Sequence, residues 1–266
     1  MSADGKGGAG RWPSDGDGRL GMAQQPMPLA RLARFREATY RLFSQSFLYP
    51  DLDRLNRAAT AARELLAKAG ALRRFAFFAR WRSVVGLLAQ LECRDVERIQ
   101  GQHLNLFAAN PKGVPCPPYE SAYRDTVGGS TGWLLAQVER EYASAGLALS
   151  RDSGELPDLV AIEMEFVAVL CGREAQAWEE GDWARAVVAL RQQKRFLDSH
   201  LARWLPDFGE RVRAADRDGM YAALCEGAQA FIGYDVDLLG VLLETFGEPT
   251  ELDSERGRQR ARGDAR

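Results

Sequence analysis

"ELPDLVAIEMEFVAVL", residues Glu155 to Leu170, decides how the fold is read. Leu159, Ile162, Phe166, Val167 and Leu170 recur at three- and four-residue steps, the spacing that lines one face of an α-helix. Pro157 suits a first helical turn, where its missing amide is no loss, so the spacing predicts a helix from Pro157 to Trp178 with Gly181 beyond its end. The same stretch carries Glu155 and Asp158 around the helix start and Glu163 and Glu165 in its first turns. Carboxylates at a helix N-terminus interact with the macrodipole by about 0.3–1 kcal/mol each, so capping accounts for them without any function. Asp158, Ile162 and Glu165 nevertheless lie close to one face, flanked by Leu159 and Phe166. An acid on a half-buried apolar face would suit a cationic, partly apolar peptide, and spacing alone leaves both readings open.

Outward from this segment the helical pattern continues in both directions. Upstream, Leu32, Phe35, Leu42, Phe43 and Phe47 repeat until Pro50; Leu52 to Leu66 continue to Gly70. Leu72 to Leu91 make a third stripe and Val96 to Phe107 a fourth, stopping before Pro111. Ser130 or Thr131 offers an N-cap to a helix carrying Trp133, Leu134, Val138 and Tyr142, closed by Gly146. Downstream, one long helix is expected from Asp182 through Trp204 to Pro206, then shorter ones over Tyr221–Phe231 and Asp235–Phe246. No stretch alternates with period two for long enough to make a strand. The prediction is all-α: a single bundle-like domain of about ten helices over residues 28–249.

The flanks read differently. Residues 1–27 are rich in Gly, Ser and Asp with no continuous apolar run, so they are expected to be disordered, with no signal peptide or membrane anchor, and Met22 is a candidate start. Residues 250–266 form a polar, basic tail expected to fray.

Composition narrows the chemistry. The chain has 266 residues, 46% hydrophobic, with 35 basic against 37 acidic side chains and a formal net charge of −2, so no global field would hold nucleic acid. Cys93, Cys116, Cys171 and Cys225 are far apart, with no C-x-x-C, which indicates neither a zinc ribbon nor a redox pair and suits a reducing cytoplasm. The histidines are His103, on an apolar helical face, and His200, between Leu197 and Leu201; packing or helix-end roles suit both. H-E-x-x-H, G-x-S-x-G and the G-x-x-x-x-G-K-[ST] phosphate loop are all missing. No catalytic residue and no metal ligand is assigned, and an enzyme is not expected.

Between two helical stretches lies "VPCPPYESAY", Val114 to Tyr123. Pro115, Pro117 and Pro118 restrict the backbone, so the loop loses little entropy when something docks on it. It presents Tyr119, Glu120, Ser121 and Tyr123, while Cys116 has no identifiable base or second thiol beside it.

Three of these motifs carry a resemblance. "HLNLF" followed by "CPPYESAY", then "ELPDLVAIEMEFVAVL", then "FLDSHLARWLPDF" are similar, in that order, to signatures of the TorD/DmsD/NarJ family of redox-enzyme maturation chaperones. The C-P-P-Y-E form resembles the branch serving selenate, chlorate, dimethyl sulfide and ethylbenzene enzymes. The chain departs from the signature at Leu159, where the family has histidine, and at Val167, where it has methionine. The resemblance implies a TorD-like fold and a cytoplasmic chaperone. Its partner would be the apo catalytic subunit of a molybdopterin oxidoreductase, bound through an N-terminal, often twin-arginine, leader until the molybdopterin guanine dinucleotide cofactor is inserted. It implies no resident cofactor, no stable membrane association, and either a monomer or a homodimer. Contact with the cofactor during transfer, GTP binding, and retention in the mature complex as a structural subunit are its alternatives. The leader would meet Glu120, Glu155 and Asp158 and then the aromatic and apolar surface around Tyr119 and Tyr123, with Pro117, Pro118, Ser121, Pro157, Glu163 and Phe166 completing the expected binding residues. With Leu159 in place of the histidine, Asp158 would act without that neighbour.

Overall fold

The computed structural model describes residues 26–108, 110–124, 131–150, 154–216 and 219–247. The described residues form α1 (Pro26–Phe47), α2 (Leu52–Lys68), α3 (Phe78–Ala89), α4 (Val96–Phe107), α5 (Thr131–Ser144), α6 (Val160–Glu179), α7 (Trp183–Ser199), α8 (Leu201–Ala215) and α9 (Met220–Phe246), with short 3-10 turns at Ala69–Leu72, Cys93–Asp95 and Glu120–Ala122. They contain no β-strand, only isolated bridges at Asn110–Gly113 and Tyr119–Leu159. The all-α expectation therefore holds. The expectations for residues 1–25, for Ser130 and for residues 250–266 lie outside the described residues.

The opening segment becomes the central helix. α6 buries Val160, Ala161, Met164, Val167, Ala168, Leu170, Cys171 and Trp178 on nearly all sides, as a helix surrounded by others must. It packs most extensively against α1 and then α7, while α3 lies on α9 and α8 joins α9. Trp81, Trp178, Trp204, Phe43, Phe196, Phe208 and Phe231 fill the space between them and are fully buried; each such side chain removed from water contributes about 1.5–3 kcal/mol. α3 and α9 approach closely at Gly227, where an added Cβ would lie 2.3 Å from Val84 Cγ1.

A polar knot ties the helices across this core. Arg36 of α1 is 1% exposed. It meets Asp235 of α9, Glu174 of α6 at 2.6 Å and Gln193 of α7. Tyr40 donates to Asp235 at 2.8 Å, and Trp178 donates to Glu174 at 3.1 Å. Burial opposes the charge on Arg36, but Asp235, Cys171 and Glu174 together hold its pKa well above the usual value.

Four boundaries correct the sequence reading. The long helix expected from Asp182 breaks at His200 (φ −126°, ψ −98°) instead of ending at Pro206, which sits inside α8. His200 is pulled out of helical geometry where its ring engages the loop of residues 114–124, a long-range contact that periodicity does not report. The last two expected helices are one, because Gly233 causes no break in α9. α6 begins at Val160, since the Asp158 carbonyl and the Val160 amide are committed to backbone pairing with the loop. The third stripe, expected from Leu72 to Leu91, is helical only over Phe78–Ala89, because the Phe75 and Phe78 amides are spent on three-residue turns to the Leu72 and Phe75 carbonyls at 3.1 and 3.0 Å. At other ends local rules suffice: Asp182 caps α7 by accepting from the Arg185 amide at 3.0 Å, and Gly146 (φ 66°) closes α5.

Candidate functional site

The loop and the entry to α6 are one structure. The Glu120 amide donates to the Asp158 carbonyl at 3.0 Å, and the Val160 amide donates to the Pro118 carbonyl at 2.9 Å. This two-bond antiparallel bridge sets Tyr119 opposite Leu159. The Asp158 carboxylate accepts the Ser121 amide at 2.9 Å, and the Tyr142 hydroxyl of α5 donates to the Pro157 carbonyl at 2.7 Å. At its start the loop is anchored by Cys116, whose amide donates to the Leu106 carbonyl at 2.8 Å and whose thiol is buried. Burial pushes that thiol's pKa up, away from nucleophilic use.

Beneath the bridge lies a buried ionisable cluster. Glu120 Oε2 meets His200 Nδ1 at 2.7 Å, and Glu120 Oε1 accepts from Arg124 Nη1 at 2.5 Å. Glu163 Oε2 accepts the Trp204 indole N–H at 3.0 Å. Glu120, Asp158, Glu163 and His200 are all 0% exposed. Burial opposes the Glu120 charge, but His200, Arg124 and Glu163 outweigh it and hold the carboxyl below its ordinary range. Burial, with the Glu120 charge beside it, pushes Glu163 well up, so Glu163 keeps its proton and shares it with Glu120. Candidate ligand atoms of Glu120, Glu163 and His200 lie within 4.8 Å of one another. A metal ion there would have to break the direct Glu120–His200 hydrogen bond and compete with the Arg124 cation, so the trio suits shared protons better.

The structure divides the expected site residues. Pro118, Glu120, Pro157, Asp158, Glu163 and Phe166 are buried; Pro117, Tyr119, Ser121 and Tyr123 are partly exposed, and Glu155 is exposed. Glu120 and Asp158 therefore do not form an open acidic surface, which corrects that expectation: the loop needs their oxygens to close on α6 and on His200. Phe166 packs on Tyr142 and Phe196 at 4.6 and 4.7 Å between ring centroids. Tyr123 stacks on Trp204 at 5.6 Å. Glu165 does not share a face with Asp158; it pairs with Arg41 of α1 at 3.3 Å. What faces solvent is Glu155, in contact with the Tyr119 hydroxyl at 3.4 Å, and Leu156, 45% exposed.

Arg124, Leu156 and Trp204 carry no site role in the sequence reading, and His200 reads there as a packing or helix-end residue. The sequence did hold a hint, because "FLDSHLARW" places His200 and Trp204 one helical turn apart.

Comparison with known proteins adds an independent line. A family model described as nitrate reductase delta subunit matches residues 55–210. Chaperone protein TorD of Vibrio cholerae is 35% identical over 128 residues, covering 48% of this chain and 56% of that protein. The selenate reductase assembly chaperone protein of Thauera selenatis is 33% identical over 120 residues (45% and 60% covered). The chlorate reductase assembly chaperone protein of Ideonella dechloratans is 32% identical over 120 residues (45% and 60%). The chain thus spans little more than half the length of these relatives. Among solved structures, a candidate redox enzyme maturation protein of Archaeoglobus fulgidus aligns with TM-score 0.48 and 22% identity, covering 74% of this chain and 93% of that one.

Proposed function

Given that the chain belongs to the nitrate reductase delta subunit family, we propose that it is a maturation chaperone for a molybdopterin-dependent oxidoreductase. It binds the apo catalytic subunit, engages that subunit's N-terminal leader, and keeps the enzyme open until the cofactor is inserted. Relatives named as assembly chaperones of selenate and chlorate reductases support this reading. In the geometry, the observation that carries it is the backbone bridge between Pro118–Glu120 and Asp158–Val160. That bridge makes a proline-stiffened loop and a helix entry into one preorganised face, with Glu155, Leu156, Tyr119 and Pro117 at its surface.

A face of this kind loses little entropy on docking. Glu155 supplies a charge for a basic leader and Leu156 an apolar contact beside it. No helix among the described residues is long and apolar enough to cross a membrane. The test is calorimetric titration of the cognate catalytic subunit, prepared without cofactor, into this chain. Micromolar binding, about −8 kcal/mol, that weakens when the leader is deleted supports the reading; an unchanged affinity without the leader removes the leader from it.

A further inference from the structure

Arg124 is the member of the buried cluster that reaches solvent. Its side chain is 26% exposed, whereas that of Glu120 beneath it is 0% exposed. Nη1 makes both of its contacts, 2.5 Å to Glu120 Oε1 and 2.7 Å to the carbonyl of Ser199, the last residue of α7. A guanidinium carries five N–H donors in a fixed fork, and among the described residues Nε and Nη2 of Arg124 make no hydrogen bond. One buried carboxyl oxygen nearby, Asp158 Oδ1, has no hydrogen-bond donor among the described residues. The cluster therefore offers an acceptor that its own donors leave unfilled, beneath the partly exposed Arg124 guanidinium.

We propose that Arg124 is an internal stand-in: it occupies a guanidinium site centred on Glu120, and it swings out when an arginine of the client enters. The inference rests on the chaperone reading and assigns that site a ligand class and a gate. Exchanging one guanidinium for another leaves the number of buried charges unchanged, so Glu120 is never bared as an uncompensated anion. The incoming group, approaching over Glu155 and Leu156, has N–H donors for Asp158 Oδ1 that Arg124 does not spend. A lysine ammonium lacks the planar fork and would satisfy fewer of these oxygens. Departure of Arg124 also frees the Ser199 carbonyl, so the exchange reaches the α7–α8 break at His200.

The probe is a synthetic dodecapeptide with two adjacent arginines followed by four leucines, and its twin with citrulline at both arginine positions. Arg124→Gln should bind the arginine peptide at least tenfold more tightly than the unaltered chain. The citrulline peptide should show no such gain, and Glu120→Gln added to Arg124→Gln should abolish it. A folded Arg124→Gln that binds the arginine peptide no better, or no detectable binding to either protein, overturns the proposal. Should Arg124→Gln fail to fold, the unaltered chain still decides the matter. In nitrogen-15 spectra, the Arg124 guanidinium protons should shift and exchange faster with solvent as peptide is added; unchanged signals at saturation overturn the proposal. Loss of binding to the whole apo client would defeat the chaperone reading, whereas equal peptide affinities with client binding intact defeat the gate alone.

Discussion

Glu120 and His200, eighty positions apart, meet at 2.7 Å with neither side chain exposed to water. That contact fastens the proline-rich loop to the break between α7 and α8. It explains both why the long helix stops at residue 200 and why the loop holds a fixed shape. Burial of the Glu120 carboxyl among these partners makes the junction sensitive to protonation, and the shift of Glu120 gives its direction.

Glu120 titrates below its ordinary range in the folded chain. Its contribution is therefore complete above the unfolded glutamate value, about 4.3, and is lost as pH falls through the lower folded value. Acid should consequently loosen the loop before the core: protection of the Ser121 and Val160 amides from hydrogen exchange should drop with falling pH ahead of global unfolding. Simultaneous loss everywhere would contradict this.

Glu163 behaves oppositely, since its folded pKa is raised. Above about pH 4.3 the unfolded chain releases this proton while the folded chain retains it, so stability falls by up to about 1.4 kcal/mol per pH unit until the folded group ionises. Glu163→Gln keeps an acceptor for Trp204 and removes the penalty. In urea melts its stability relative to the unaltered chain should rise between pH 5 and pH 8; parallel curves would refute the assignment.

The knot around Arg36 should be the costliest polar group to break. Arg36→Leu strands Glu174 and Asp235, buried at 1% and 0% exposure, and should destabilise by about 3–5 kcal/mol. A loss under about 1 kcal/mol in denaturant titration would mean the knot does not hold α1 against α6, α7 and α9.

Gly227 is a packing constraint. Its added Cβ would strike Val84 at 2.3 Å, so Gly227→Ala should cost about 1–3 kcal/mol through overpacking despite alanine's better helix propensity. Val84→Ala in the same chain should recover most of that loss in a double-mutant cycle.

Much of the fold was legible in the sequence. α4 was bounded correctly by its apolar repeat and the proline that follows it, and α7 starts at the expected Asp182 cap. Local rules failed where partners are distant. Nothing around Pro206 tells that His200 will be drawn to residue 120, and nothing around Gly233 tells that Tyr234 stacks on Phe77 at 4.3 Å and keeps α9 continuous there. The site was half legible: the adjacency of the loop and the α6 entry was anticipated from motif content. Which carboxylates face water was not, because exposure depends on the bridge. Glu155 and Glu120 look alike in sequence; one reaches solvent and the other serves a buried imidazole.

That distinction defines which substitutions report on binding. Glu155→Gln and Leu156→Ser change exposed groups and should leave stability within about 0.5 kcal/mol. Asp158→Ala removes the acceptor of the Ser121 amide and should cost about 1–3 kcal/mol, so its effect on binding mixes with folding.

The most direct test of the account is the affinity of the cognate apo catalytic subunit for the unaltered chain and for Glu155→Gln with Leu156→Ser, measured by calorimetry alongside the cofactor-loaded subunit. The account predicts micromolar binding of the apo form, about tenfold weaker binding to the doubly substituted chain, and weaker binding still of the loaded form. Equal affinity for apo and loaded subunits, or no effect of the two surface substitutions, would contradict it.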